Sequence, residues 1–474
     1  MADPIVKGPI PGVPVLALGH EAAFKDCVVE EFFLTGTGIC YKHLGALLDD
    51  GKWQAALAGT APYTTRVVVI RPSNSAEFNG TVFVEWLNVS AGRDSAPDAM
   101  MAHSEIVRSG YAYVGVSAQK VGIDGGQARV EVGAQPLKKA NPERYGELSH
   151  PGDAFSFDIY SQAAKVARGE VGAKILGPLK PKHVIAIGVS QSAFFLTTYV
   201  NAIDPLVKLY DGFLIHSRFG GAPSVEGESI FGASKPGVPA AVRLRSDLRV
   251  PVITLITETD LMFSPHLGFI HARQPDFERL RIWEIAGAAH ADTYLLKVAT
   301  IDSGTAPIAD LAAAYAPTHS LFGMNLAQPV NSGPQHHYLL EAALCSLDRW
   351  VRDGTTPPMA ARIKTTGGGK PDDPPNFDVD AHGIAKGGIR TPWVDVPTAR
   401  LSGVGNSGGI LASMAGVTQP LGQANLDKLY PQGKAEYLKK FGAALDSTIK
   451  AGFILAADRS EIMALADAMY PLKQ

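Results

Sequence analysis

The stretch His183-Val-Ile-Ala-Ile-Gly-Val-Ser190-Gln-Ser-Ala-Phe-Phe-Leu-Thr197 decides how this chain is read. Val184 to Ile187 has the apolar, β-branched character of a short buried strand, and the residues after Ser190 open a helix. Between them, Gly188-Val-Ser190-Gln-Ser192-Ala193 sets one serine among small residues on both sides. A serine held at a strained strand-to-helix corner needs such neighbours, because strand and helix approach closely there. The helix N-terminus behind it offers backbone N–H groups and a partial positive charge to a developing oxyanion. The usual form of this elbow is G-x-S-x-G, and here Ser192 replaces the second glycine. In a chain with 49 glycines the pattern also arises by chance, as a serine in an ordinary turn. Context has to decide.

Such a serine needs an acid after a later strand and a histidine after a further one. Val252 to Thr257 is a β-branched run closed by Glu258-Thr-Asp260, and Leu280 to Ile285 is followed by Ala286-Gly-Ala-Ala-His290-Ala-Asp292. Serine, acid and histidine each stand just past the C-terminal end of a strand, and in an open parallel sheet those ends share the ligand-binding edge. Ser190, Asp260 and His290 are therefore the expected catalytic residues. Asp260 stands where the loop has turned away from the sheet. Glu258 is nearer the strand end but longer, and remains an alternative acid. Asp292 is expected to steady the loop.

Working outward, Val28 to Leu34 and Thr65 to Ile70 read as antiparallel opening strands, with a short helix or irregular segment over 44–58. Thr81 to Asn88 is a strong strand after the Asn79-Gly80 turn. The loop that follows should supply the second oxyanion donor from the backbone N–H of Asn88 or Val89, the first being that of Gln191. An Asx turn is the competing role for Asn88. A helix is expected over 97–109, a strand over 111–117, and a helix from Asp153 to Arg168. His216 ends the strand 210–216 at the catalytic edge; it could bind substrate, support the site, or simply be packed and hydrogen-bonded. His266 and His271 are expected to be structural.

Strand and helix alternation from 81 to 351 argues for an α/β fold with a mostly parallel sheet. Long unpatterned segments at 118–150, 219–248 and 302–334 read as covering loops, with Phe322, Met324 and Leu326 near the centre of the last. A helix over 338–351 should be the last against the sheet, and 433–451 and 457–470 read as two more. The acidic cluster Asp372, Asp373, Asp378 and Asp380 lacks EF-hand spacing, and Gly367-Gly-Gly-Lys370 lacks the remainder of a phosphate loop.

The 474 residues carry a net charge of −3, with 46% hydrophobic and 19% charged residues, which argues against nucleic-acid or anionic-membrane partners. No apolar run approaches the ~20 residues of a membrane span. Three cysteines make no disulfide framework and fit a reducing, cytoplasmic setting. No dinucleotide fingerprint or metal-ligand cluster is present, so neither cofactor nor metal is expected.

Seven stretches together resemble the α/β-hydrolase superfamily, and within it a bacterial group of esterase-like proteins known only as α/β-hydrolase domain proteins. They are Val84-Glu-Trp-Leu-Asn88, Val116-Ser-Ala-Gln119, Leu148-Ser-His-Pro-Gly-Asp153, Gly188-Val-Ser-Gln-Ser192, Thr257-Glu-Thr-Asp260, Ala286-Gly-Ala-Ala-His290-Ala-Asp292 and Gly387-Gly-Ile-Arg-Thr-Pro392. That group often has an acidic residue before the serine, where this chain has Val189. The resemblance implies ester hydrolysis and one catalytic unit over 1–474, with a core at about 27–353 and the extension 354–474 packed on it. The expected activity is a serine carboxylesterase or lactonase acting on a small molecule through an acyl-enzyme. An acyltransferase or a non-catalytic binding protein on the same fold is the alternative, and a homodimer is an open expectation.

Overall fold

In the computed structural model of the chain, the described residues are 3–126, 128, 133–169, 175–227, 237–264, 266–367 and 375–471. The strands are β1 (Ile5–Lys7), β2 (Cys27–Leu44), β3 (Gln54–Pro72), β4 (Thr81–Trp86), β5 (Ala112–Val116), β6 (His183–Val189), β7 (Gly212–His216), β8 (Val252–Thr257) and β9 (Leu280–Ile285). They form one nine-stranded sheet in the order β1-β2-β3-β5-β4-β6-β7-β8-β9. From β5 to β9 all pairings are parallel. Strands covered by helices on both faces need no polar alternation, which is why β4, β8 and β9 are buried at every position. The expected α/β architecture with a mostly parallel sheet is the observed one.

The helices that frame the site are α1 (Pro97–Met101), α2 (His103–Arg108), α3 (Ser156–Arg168), α4 (Gln191–Thr198), α5 (Glu258–Met262), α6 (Thr293–Leu296), α7 (Gln335–Asp353), α8 (Lys434–Lys450) and α9 (Arg459–Met469). One apolar cluster joins the sheet to α3 and α4 through Phe157, Tyr160, Phe195 and Leu196. A second joins the other face to α7, α8 and α9 through Leu340, Leu344, Phe441 and Leu465. The chain after 354 thus shares the second core. It also extends the sheet, since Ile389 bridges Ile285 at the end of β9.

Over 44–58 the expected irregular segment is found at 45–53, while Leu44 and the residues from Gln54 onward are strand. β2 and β3 continue as a long hairpin, pairing Leu44 with Gln54 and carrying an irregularity at Cys40/Tyr41. Its sequence is rich in Gly, Thr and Ala, which signal no strand locally. The pairing is fixed instead by tertiary contact: Ile39 N–H donates to Asp158 of α3 at 3.0 Å. Within 302–334, Leu321 and Leu326 pack against Ala412 and Ala415, while Phe322 is exposed.

No helix among the described residues is long and apolar enough to cross a membrane, and no described group of His, Cys, Asp and Glu side chains could hold a metal ion. Asp378 and Asp380 pair with Lys386 and Arg390, whereas Asp372, Asp373 and residues 368–370 lie outside the described set.

Candidate active site

The sheet reverses its winding between β4 and β6, and both chains leave that switch point at the same edge. Ser190 follows β6 with φ 60° and ψ −117°, a strained turn for a residue with a side chain. A Cβ on Gly188 would stand 3.0 Å from both Leu196 Cδ1 and Ser192 Cβ. This explains why small residues flank the serine and why a serine at 192 is still tolerated. The Ser190 N–H donates to the His216 carbonyl at 2.9 Å, locking the turn to β7.

His290 lies in the loop after β9, its Nε2 at 2.9 Å from Ser190 Oγ and its Nδ1 at 2.6 Å from Asp260 Oδ1. Asp260 is the third residue of α5, and its other oxygen accepts the N–H and hydroxyl of Thr257, each at 2.8 Å. Burial pushes the Asp260 carboxyl up, yet the adjacent His290 and the Thr257 hydrogen bonds outweigh it and hold the pKa below the ordinary carboxylate value. The carboxylate is charged and fixed before any chemistry. Phe219 stacks on the imidazole, with ring centroids 5.4 Å apart.

A serine, histidine and aspartate in this contact recur on several unrelated folds, so the triad alone names no family. An alpha/beta hydrolase domain model matches residues 3–464. The chain belongs to the α/β hydrolases.

Solved structures similar to this hydrolase include a cold-adapted esterase from an Arctic intertidal metagenomic library (15% identity, 54% of this chain and 85% of that one, TM-score 0.27). A thermostable esterase from Pseudomonas putida has 12% identity over 47% of this chain and 65% of that one, TM-score 0.25. A serine hydrolase without a lid from Xanthomonas campestris has 12% identity over 52% and 83%, TM-score 0.25. No curated protein sequence matches the hydrolase.

At three positions the structure decides between alternatives that the sequence left open. Glu258 does not face the imidazole. Its buried carboxylate accepts the N–H groups of Gly287 (2.6 Å) and Gly403 (2.8 Å) and the Ser402 hydroxyl (2.8 Å), so it clamps two loops together. Asn88 cannot be an oxyanion donor through its backbone, because that N–H is spent on the Ser95 carbonyl at 2.9 Å. Its side chain forms the Asx turn to Ser90 N–H and pins the loop to the Val189 carbonyl. Val89 N–H stands 3.4 Å from Gln191 Oε1, a long contact that a better acceptor can displace, while the Gln191 N–H opens α4 beside the serine. His216, finally, is fully buried with both ring nitrogens engaged, by Asp98 and His336, so it does not meet substrate.

Asp292 steadies the loop as expected, capping α6 through the Leu295 N–H at 3.0 Å. Sequence reasoning missed His336 and Asp98. Reading the last helix from its apolar periodicity starts it at Tyr338, but α7 begins at Gln335 and so includes two more histidines in its first turn. The adjacent pair His336-His337 was the available signal.

Proposed function

We propose that this hydrolase is a serine carboxylesterase that cleaves a mid-sized, fairly apolar ester or lactone through an acyl-enzyme. What supports the reading is the unbroken line from Asp260 through His290 to a serine on a left-handed turn. With Nδ1–H held by Asp260, the bare Nε2 faces the Ser190 hydroxyl and can take its proton. As Ser190 Oγ bonds to the ester carbon, that proton passes to His290, and the carbonyl oxygen gains the charge. The N–H groups of Gln191 and Val89 are the donors for that oxyanion. Collapse breaks the bond to the alcohol, which leaves with the His290 proton. Water then attacks the acyl-enzyme, with His290 again as base, and releases the acid.

Phe219 covers one face of the imidazole and keeps water from it, which strengthens the Asp260 interaction. We read residues 1–474 as one catalytic unit, because Glu258 and Thr259 both bond Gly403 of the extension. The three unpaired cysteines suit a reducing cytoplasm.

The test is turnover of p-nitrophenyl esters of graded acyl length by wild type, Ser190→Ala and His290→Ala. Activity on short or medium chains, lost in both variants, is the expected result. Near wild-type turnover by Ser190→Ala overturns the reading.

A further inference from the structure

A second acid–histidine array lies beneath the site, and the proposed chemistry leaves it unused. Asp98 in α1 faces His216 at the end of β7, with Oδ1 and Nδ1 2.7 Å apart. His216 Nε2 then meets His336 Nε2 at 2.7 Å, and His336 Nδ1 stands 3.4 Å from Asp292 Oδ2. All four side chains are at most 1% exposed. Two imidazole nitrogens this close share one proton: two protons would clash, and two bare lone pairs would repel. The same holds between Asp98 and His216. His336 Nδ1 and Asp292 Oδ2 make no formal hydrogen bond, but at 3.4 Å and with no other partner among the described residues two bare lone pairs there would repel, which favours a proton on this side as well.

One proton per link leaves the four groups with a single net negative charge and, without an imidazolate, four arrangements. Two of them put a doubly protonated histidine between two ionised carboxylates, and burial of three charges disfavours both. The other two have neutral histidines and one charge, either on Asp98 with Asp292 protonated or on Asp292 with Asp98 protonated, and they interconvert when one proton moves along each link. The charge belongs on Asp292, whose Oδ1 accepts the Leu295 N–H at 3.0 Å, whereas Asp98 Oδ2 has no hydrogen-bond partner among the described residues. Consistently, burial pushes the Asp98 carboxyl up to about 8 and the His216 ring well below its ordinary value.

The array is tied to both reacting residues through the backbone. The carbonyl of His216 holds the Ser190 N–H, and Asp292 lies two residues beyond His290 in the same loop. The charges of Asp260, His290 and Asp292 all reach the His216 ring. Around the array, Glu85 of β4 accepts the Asp98 and Ala99 N–H groups and the Tyr113 hydroxyl, and burial pushes its carboxyl well up. His337 of α7 is kept neutral by burial and stacks on Tyr294.

We propose that Asp98, His216, His336 and Asp292 are positioning residues that fix one negative charge at Asp292 behind His290 and so stabilise the imidazolium formed when Ser190 attacks. This rests on His290 being the base. Asp260 then orients the ring directly, and Asp292 adds a second, more distant stabilising charge.

The test compares pH profiles of kcat and kcat/KM on a p-nitrophenyl ester, alongside Ser190 labelling by a fluorophosphonate. Asp292→Asn keeps the α6 cap, because asparagine caps well, but removes the charge. Its acid limb is expected to move down by roughly half to one pH unit, with kcat about tenfold lower and KM unchanged. Asp98→Ala should lower kcat, and Asp98→Asn should restore most of it, since the amide donates to His216 Nδ1 as the protonated carboxyl does. An Asp292→Asn profile superimposable on wild type overturns the proposal, as does failure of Asp98→Asn to improve on Asp98→Ala. A wild type that neither labels nor turns over fails the esterase reading itself, and that outcome is visible before any variant is made.

Discussion

Among the described residues, two carboxylate–imidazole pairs stand within 2.7 Å, and they differ in what the far ring nitrogen meets. Asp260–His290 ends on the Oγ of Ser190 at 2.9 Å, at the edge of the sheet. Asp98–His216 is as tight, at 2.7 Å, but ends on a second imidazole inside the protein. An acid beside a histidine therefore says little about chemistry on its own. Its partner atom and its access to substrate decide what it can do.

The comparison breaks most sharply at the serine. Ser190→Ala should lower esterase kcat by roughly 10⁴- to 10⁶-fold while leaving the melting temperature nearly unchanged, because the hydroxyl contributes chemistry and little packing. Next comes the first pair against its neighbour two residues away. Asp260→Asn should cost about 10⁴-fold in kcat by freeing the imidazole tautomer. Glu258→Gln should change kcat far less but lower stability by about 1–3 kcal/mol, since an amide cannot accept from all three donors now satisfied. Denaturant titration beside steady-state kinetics separates the two.

The smallest effect concerns the second pair. A carboxyl whose pKa rises from about 3.9 unfolded to about 8 folded keeps its proton in the native state while the unfolded chain loses it. The native state then binds more protons, so Asp98 makes stability fall as pH rises through that window. Asp98→Asn removes the titration. Its stability relative to wild type should improve by about 1–3 kcal/mol between mildly acidic pH and pH 8, read from paired melting curves. A constant offset would mean that Asp98 is ionised throughout.

Much of this was legible in the chain. β4 to β9 are apolar runs long enough to be read without partners, and the order of Ser190, Asp260 and His290 along them follows from the parallel sheet. The distal half of the β2–β3 hairpin was not legible, because Thr, Gly and Ala there take strand form through pairing and through Asp158. Glu258 and Asp260 could not be separated by spacing alone; the Thr257 cap, which turns Asp260 toward the loop, separates them. Asp98 and His336 stayed hidden for a different reason. Each is a polar residue in the first turn of a helix, where periodicity carries no signal, and each finds its partner, His216, only in the folded chain.

The clamp between Glu258 and residues 402–403 has a consequence for how the protein is made. Ribosomes deliver Ser190, Asp260 and His290 well before Ser402 and Gly403. The Thr259 hydroxyl, which accepts the His290 N–H at 3.1 Å, is itself anchored on the Gly403 carbonyl. A growing chain therefore holds all three reactive side chains for more than a hundred further residues of translation without the strap that seats the histidine loop. On the proposed esterase reading, competence therefore arrives late in synthesis, and a product terminated before Ser402 should be inactive on p-nitrophenyl esters.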